Sequence, residues 1–182
     1  MGGTYAFENK TVEQMMIQLQ LNVSTPAILT RLFITDMNLE REYGYILNVA
    51  SLAGFFHLPG KQVYGASKAF LVSLSRSLEA EYRNTNVVIS VLCPGGMNTN
   101  LDLVLKHRRC NLLSRLSIME PGDVAKVAVD GLFRKKKVIV PGFLNRLFLI
   151  AGKCMPGSAS NYLSRGQMTK LMSEDQLAVV RA

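Results

Sequence analysis

Residues 44–68 read GYILNVASLAGFFHLPGKQVYGASK. The run over residues 45–51 is short, apolar and partly β-branched, and glycine and serine bound it, which predicts a buried strand. A loop with the turn dipeptide Pro59-Gly60 follows. Apolar residues at helical spacing then predict a helix over residues 63–83. The segment therefore indicates a strand that leads through a loop into a long helix.

The rest of the chain continues this alternation of helices with continuous apolar strands. The predicted elements are a helix over residues 11–42 disturbed at Pro26, a strand over 86–96, a loop with short helical pieces over 99–119, a helix over 120–133, a strand over 137–140, and weak amphipathic stretches over 144–151 and 162–172. Such an order predicts an α/β fold with a parallel sheet covered on both faces.

Composition limits the class of protein. The chain has 182 residues, of which 48% are hydrophobic and 19% charged, so one globular domain is expected. Its three cysteines are widely spaced and form no Cys/His cluster, which argues against a disulfide framework and against a metal site. A reducing, cytoplasmic location is the simplest expectation. No signal peptide or uninterrupted spanning segment is recognisable.

The net charge of +8 is concentrated in one part of the chain, with eleven Lys or Arg residues between residues 106 and 153. This basic third of the chain could face cofactor phosphates, anionic lipid or nucleic acid. An ordinary solvated surface is the favoured interpretation. No helix-turn-helix signature or Arg-aromatic stripe supports nucleic-acid binding.

Tyr64 and Lys68 are four residues apart, so on a helix they lie on one face. A phenol ionises only near pH 10, but a neighbouring ammonium stabilises the phenolate. The pair is therefore a candidate proton donor to a carbonyl oxygen, or acceptor from an alcohol. The alternative is an unremarkable pair on a helix surface, with the small residues 65–67 serving only close packing.

Two further residues complete the candidate group. Ser51 is predicted at the carboxyl end of a strand, where ligands of parallel α/β sheets gather, and its hydroxyl could hold the reacting oxygen. Asn22 lies within a predicted helix, where asparagine is mildly unfavourable. It is a candidate for holding a water or a backbone group, although an asparagine of this kind more often makes only a local hydrogen bond.

In combination, these motifs resemble the C-terminal portion of the short-chain dehydrogenase/reductase family. The matching pieces are LNVSTP around Asn22, GYILNVASLAG with Ser51, YGASKAFLVSLSRSLEAE with Tyr64 and Lys68, and VISVLCPGGMNT at residues 88–99. The resemblance implies a Rossmann-like, doubly wound parallel sheet that is incomplete. Residues 1–142 would be the C-terminal part of that domain, and residues 143–182 a basic amphipathic extension of it.

The resemblance also implies a catalytic role for each motif residue. Tyr64 would be the general acid/base, and Lys68 would bind the nicotinamide ribose hydroxyls and favour the phenolate. Ser51 would orient the substrate carbonyl, and Asn22 would position a water in the proton relay. The implied cofactor is NAD or NADP.

The same resemblance places further residues around the cofactor. Pro94, Gly95 and Thr99 would line the nicotinamide pocket, with Thr99 near the carboxamide or a phosphate. The stretch 100–119 would correspond to the loop that covers the substrate and sets specificity.

Two family motifs are not recognisable in this sequence, namely the early glycine-rich turn and the N-N-A-G motif. We therefore expect an N-terminally truncated member whose choice between NAD and NADP cannot be read from the chain. We also expect a bare edge at strand 45–51, which favours pairing or aggregation. Dinucleotide binding should be weak or absent, with no independent turnover.

Three functional readings follow. The leading one is an oxidoreductase acting on a lipophilic carbonyl or secondary alcohol, since Leu52, Phe55, Phe56 and Met97 suggest an apolar pocket. The alternative is a non-catalytic interaction module, because helices 11–42 and 63–83 resemble those that build the family's homo-oligomer interface. The third is weak peripheral membrane contact. It would use the basic run 135–137 with the apolar side chains Phe143, Leu144, Leu147, Phe148 and Ile150.

Overall fold

A computed structural model of the chain describes residues 6–37, 42–99 and 115–154. The helices are α1 Val12–Leu19, α2 Thr25–Asp36, α3 Gln62–Glu81, α4 Pro121–Phe133 and α5 Phe143–Cys154; the strands are β1 Gly44–Val49, β2 Val87–Leu92 and β3 Val138–Ile139. Short 3-10 turns cover Phe7–Asn9 and Leu52–Phe55, and a π-helical segment, Gln20–Ser24, joins α1 to α2.

In the described ranges the strands form one parallel sheet in the order β1-β2-β3. All six residues of the central strand β2 are buried. Val91 belongs to an apolar cluster with Leu71 of α3, whereas Leu92 belongs to another with Val124 of α4. Because successive strand residues point to opposite faces, α3 and α4 cover opposite faces of the sheet. The predicted α/β class is confirmed.

The first predicted helix, residues 11–42, is wrong in its extent. Thr11 caps α1 through a capping box with Gln14, but α2 ends at Asp36 and Gly44 already belongs to β1. The disturbance expected at Pro26 takes the form of the π-helical segment directly before it. A wider turn accommodates a proline, which has no N–H to donate to the preceding turn.

The other boundaries differ by a few residues for local reasons. β1 ends at Val49 rather than at residue 51, because Ser51 caps the next turn. β2 ends at Leu92 rather than at residue 96, close to Pro94, which cannot donate to a ladder. Residues 100–114 of the predicted loop 99–119 and the whole amphipathic stretch 162–172 lie outside the described residues.

A buried polar chain fixes α2, β1 and α3 relative to one another. Thr30 Oγ1 donates to Asn48 Oδ1 at 3.4 Å, and Asn48 Nδ2 donates to Ser75 Oγ at 3.0 Å. Ser75 Oγ in turn donates to the carbonyl of Leu71 at 2.7 Å. Buried polar groups are costly unless they are paired, so this chain specifies how the elements that carry the site pack together.

Candidate active site

The carboxyl ends of β1 and β2 meet at one edge of the sheet. The parallel pairing continues past the strands, since the N–H of Ala50 donates to Leu92 O at 2.8 Å and that of Leu52 donates to Pro94 O at 2.9 Å. Ser51 and Pro94 therefore emerge side by side. This is the edge at which open α/β sheets bind their ligands.

Ser51 is held in place by the turn that follows it. Its Oγ accepts a hydrogen bond from the N–H of Ala53 at 3.1 Å and caps the 3-10 turn. The turn packs against α3 through two glycines. A Cβ on Gly54 would lie 2.8 Å from the carbonyl carbon of Lys68, and one on Gly65 would lie 3.3 Å from Ala53 O. The small residues thus bring Ser51 close to α3.

Tyr64 and Lys68 occupy the first turns of α3, which begins at Gln62. Lys68 Nζ lies 5.9 Å from the centroid of the Tyr64 ring and donates to Val49 O at 2.9 Å. Burial lowers the pKa of the Lys68 ammonium, and electrostatic attraction to the neighbouring Cys93 side chain opposes that effect. Lys68 therefore links the end of β1 to the face of α3 that carries Tyr64.

Cys93 lies in the core beneath this site and is fully buried. Burial raises the pKa of its thiol to about 12, although the Lys68 ammonium acts in the opposite direction. The thiol is consequently neutral at physiological pH. Because the thiolate is the nucleophilic form, Cys93 serves packing rather than chemistry.

Asn22 lies in the π-helical segment and joins the helix of Tyr64. Its Nδ2 donates to Ser67 Oγ at 3.1 Å, and Ser67 Oγ donates to the backbone carbonyl of Tyr64 at 2.8 Å. Single-turn π segments within helices frequently occur at functional sites. The structure therefore connects Asn22 to the Tyr64 turn, whereas the sequence could only mark it as unusual.

The Pro94-Gly95 turn depends on a residue that the sequence analysis did not identify. Asn145, which is 2% exposed, donates to Pro141 O at 2.9 Å and to Ser117 O at 3.0 Å. A Cβ on Gly95 would lie 2.6 Å from Asn145 Oδ1. Asn145 is thus a positioning residue for this turn. The feature of the sequence that could have identified Asn145 is its position as a polar residue inside the apolar stretch 143–151.

Three expectations around the site have different outcomes. Leu52, proposed to line a substrate pocket, is 8% exposed and belongs to the core cluster with Leu71, so that assignment is wrong. Met97, which was also expected to line that pocket, packs against the apolar cluster that contains Leu92 and Val124. Thr99 is exposed and is the last described residue before position 100, so its role near the cofactor stays a prediction.

Along the chain, β3 lies between the basic and the apolar segments that were considered for membrane contact. Lys135 lies over the Tyr43 ring at 3.7 Å, and Lys137 pairs with Glu79 at 2.8 Å, both before β3. Helix α5 begins only beyond the opposite end of β3. Peripheral membrane contact through these two segments stays a prediction. No helix in the described ranges is both long and apolar enough to cross a bilayer.

A parallel sheet wound by helices on both faces, with polar groups at its carboxyl edge, defines a Rossmann-like α/β protein. Residues 1–109 match the family model described as short chain dehydrogenase, and the chain belongs to that family.

Two curated relatives illustrate the relationship. The chain is 31% identical over 160 residues to the human protein named 17-beta-hydroxysteroid dehydrogenase 13, covering 85% of this chain and 50% of the relative. It is 35% identical over 98 residues to the very-long-chain 3-oxoacyl-CoA reductase of Anas platyrhynchos, covering 54% of this chain and 30% of the relative. The chain thus spans at most half the length of these two relatives.

Solved structures agree on the fold. A short chain dehydrogenase/reductase from Burkholderia phymatum, in complex with NAD, superposes with a TM-score of 0.68 at 22% identity, covering 84% of this chain and 61% of the other. A short-chain dehydrogenase from Sphingobium yanoikuyae, in complex with NADPH, gives a TM-score of 0.62 at 22% identity, covering 84% of this chain and 59% of the other.

Proposed function

We propose that this chain carries the proton-transfer site of an NAD(P)-dependent oxidoreductase that interconverts carbonyl compounds and secondary alcohols. The observation that carries the proposal is the position of the Lys68 ammonium. It binds Val49 O at the ligand-binding edge and lies 5.9 Å from the Tyr64 ring centroid. A tyrosine hydroxyl placed at this edge can pass a proton to a carbonyl oxygen or take one from an alcohol.

The residues present fit a nicotinamide cofactor. An ammonium has three N–H donors, of which Val49 O takes one, so Lys68 can also donate to ribose hydroxyls. Pro94 and Gly95 emerge at the same edge and, with Thr99, would form the nicotinamide wall. Such a cofactor supplies or accepts the hydride. The membership of the chain in this family and the relatives solved with NAD and NADPH support this assignment.

Each remaining side chain has a defined task in the proposed reaction. During reduction, Tyr64 donates its proton to the carbonyl oxygen, and during oxidation it takes the proton back. The Ser51 oxygen accepts from Ala53 N–H, which leaves the Ser51 O–H to donate to the substrate oxygen. Asn22, held by Ser67, would position a water that restores the Tyr64 proton.

The proposed substrate is a lipophilic carbonyl compound or alcohol. Phe55, Phe56 and Leu58 line a cavity of about 630 Å³ beside the first turns of α3. Ser51, Tyr64 and Lys68 are not among its lining residues, so this cavity does not locate the substrate. The printed names of the relatives, a hydroxysteroid dehydrogenase and a very-long-chain 3-oxoacyl-CoA reductase, point to the same class of substrate.

Thermal unfolding with NADH and with NADPH tests this function. A nucleotide that binds only the folded state raises the melting temperature by mass action. Because the sequence predicts weak dinucleotide binding, the nucleotides are used at high concentration, where even weak binding raises the melting temperature. Under these conditions we expect a rise with at least one of the two, and loss of that rise in Lys68→Gln. Lys126→Gln, an exposed lysine of α4, is the matched control and should behave like the wild type. An equal response of the wild type and Lys68→Gln would contradict the proposal.

A second candidate function is a homo-oligomeric interaction module. Large apolar side chains are exposed along α1 and α2, namely Met16, Ile17, Ile28, Leu29, Leu32 and Phe33. A patch of this kind marks an interaction surface, and we propose a second copy as its occupant. Sedimentation equilibrium should show an oligomer that Leu32→Glu dissociates. A monomeric wild type would exclude this function and leave the redox proposal intact.

A further inference from the structure

Asn145 in α5 joins two segments of backbone that are distant from each other in the sequence. Its Nδ2 donates to Pro141 O at 2.9 Å, just after β3, and to Ser117 O at 3.0 Å, shortly before α4. A side-chain amide nitrogen has two N–H donors, so these two carbonyls use both of them. The Asn145 amide is therefore fixed in place, in a side chain that is almost fully buried.

Two glycines approach the fixed amide closely. A Cβ on Gly95 would lie 2.6 Å from Asn145 Oδ1, and a Cβ on Gly142 would lie 3.1 Å from Asn145 Nδ2. Neither position leaves room for a larger residue unless the amide moves, and its two hydrogen bonds oppose such a movement. The Pro94-Gly95 turn therefore rests directly on the Asn145 amide.

The residues that follow this turn depend on the same side chain by a second route. The N–H of Met119 donates to Gly96 O at 3.1 Å, and the N–H of Asn98 donates to Met119 O at 3.4 Å. Met119 lies two residues after Ser117, whose carbonyl accepts from Asn145. One buried amide thus supports the turn directly at its glycine and indirectly through the residues that follow it.

Lys68 is held from a different part of the fold. Its side chain extends from α3, and its Nζ donates to Val49 O at 2.9 Å. The proposed ribose donor therefore depends on α3 and β1, whereas the proposed nicotinamide wall depends on α5. A change in α5 should consequently affect one part of a bound nucleotide more than the other.

We propose that Asn145 is a positioning residue for the cofactor, and that its amide sets where the nicotinamide ring lies by holding the Pro94-Gly95 wall. This inference rests on the proposed function, because the turn faces a nicotinamide only in that function. Helix α5 would then belong to the cofactor site, although it lies beyond residues 1–109, which the family model matches. Loss of the amide would leave two backbone carbonyls without their donor and open space beneath the turn, so the wall would lose its support.

Saturation-transfer NMR with NADH and with NADPH tests this role, because it detects weak binding and reports each part of the nucleotide separately. With the wild type we expect saturation of the nicotinamide ring protons and of the protons of the adjoining ribose. In Asn145→Ala the nicotinamide signal should be largely lost, whereas the ribose signal should remain, since the contacts of Lys68 are unchanged. A variant that merely destabilised the fold would lower both signals together.

A second variant reaches the same contact from the other side. Gly95→Ala adds a methyl group 2.6 Å from Asn145 Oδ1 and keeps both amide donors in the chain, so it should also lower the ratio of nicotinamide to ribose signal. Leu147→Ala shortens an exposed side chain of the same helix and is the matched control, with the wild-type ratio expected. Circular dichroism shows whether each variant is folded, and if one is not, the other decides.

The two proposals fail in different ways. An unchanged ratio in the folded variants, or an equal loss of both signals, would overturn the role of Asn145 and leave the redox proposal intact. A wild type that shows no signal with either nucleotide would contradict the proposed function as well.

Discussion

Gly54 and Lys68 are in backbone contact across the candidate site. A Cβ on Gly54 would lie 2.8 Å from the carbonyl carbon of Lys68, a group that cannot move without displacing α3. This contact seats the turn that Ser51 caps against the helix that carries Tyr64 and Lys68. The spacing between Ser51 and the Tyr-Lys pair is therefore set by the absence of a side chain at residue 54.

Gly54→Ala should consequently destabilise the fold. Forced overpacking against the backbone costs typically about 1–3 kcal/mol of unfolding free energy, which urea denaturation would measure. Gly122→Ala is the matched control, since nothing lies within 4 Å of its added Cβ in the first turn of α4. It should be neutral or slightly stabilising, because alanine favours helix over glycine. Equal effects of the two substitutions would contradict the packing account.

Ser67→Ala tests the link between the π-helical segment and Tyr64. Ser67 is 1% exposed and relays the hydrogen bond of Asn22 to the Tyr64 carbonyl. Its removal leaves the Asn22 amide without this partner, which should cost about 1–3 kcal/mol of unfolding free energy. Ser73→Ala, an exposed serine of the same helix, should change it by less than about 0.5 kcal/mol. Similar losses would show that the relay contributes nothing.

Because the Cys93 thiol is buried, we predict that the free energy of unfolding falls at alkaline pH. Its pKa is raised from 9.0 to about 12 in the folded chain. In the unfolded chain the thiol loses its proton near pH 9, whereas in the folded chain it stays protonated to higher pH. The contribution of Cys93 to the unfolding free energy is therefore fully present below pH 9 and is lost as the pH rises toward 12. Lys68, whose pKa is lowered by burial, acts with the opposite sign.

The comparison with Cys93→Ala isolates this thiol. Between pH 9 and 11, the unfolding free energy of the wild type should fall by about 1.4 kcal/mol per pH unit more steeply than that of the variant. Urea denaturation at four or five pH values gives both slopes. Parallel slopes would show that Cys93 ionises as readily in the folded chain as in the unfolded one.

The sequence predicts those features that depend on local pattern. A continuous apolar run is enough to indicate β2, and a four-residue spacing is enough to place Tyr64 and Lys68 on one helix face. The π-helical segment was not predicted in this form, because the pairing of Asn22 with Ser67, 45 residues later, is a tertiary contact. Asn145 was missed for the same reason, since Ser117 and Gly95, which it contacts, lie in distant segments of the chain.

The wrong assignment of Leu52 to a substrate pocket shows that hydrophobicity alone does not separate pocket residues from core residues. An apolar residue next to a candidate serine fits a substrate pocket and a core position equally well in the sequence. Packing decides between them, and Leu52 lies with Leu71 and Val91 in the core. Phe55 and Phe56 instead contribute to the cavity beside α3.

Tyr64 is proposed to transfer a proton at a nicotinamide-dependent redox site. Transfer of deuterium from C4-deuterated NADH or NADPH to 2-octanone, followed by mass spectrometry of the alcohol, tests it even if turnover is slow. From the sequence we expect no independent turnover at ordinary rates. Any transfer by the 182-residue chain should therefore be slow, which agrees with a β1 that has a strand neighbour on only one side in the described part of the sheet.

We predict deuterium at the carbinol carbon with the wild type and an equal rate with Tyr43→Phe, whose exposed ring lies before β1 at the opposite end of the sheet. Tyr64→Phe should lower the rate at least about 100-fold with unchanged circular dichroism. Absence of deuterium with both nucleotides, or wild-type transfer by Tyr64→Phe, would contradict the account.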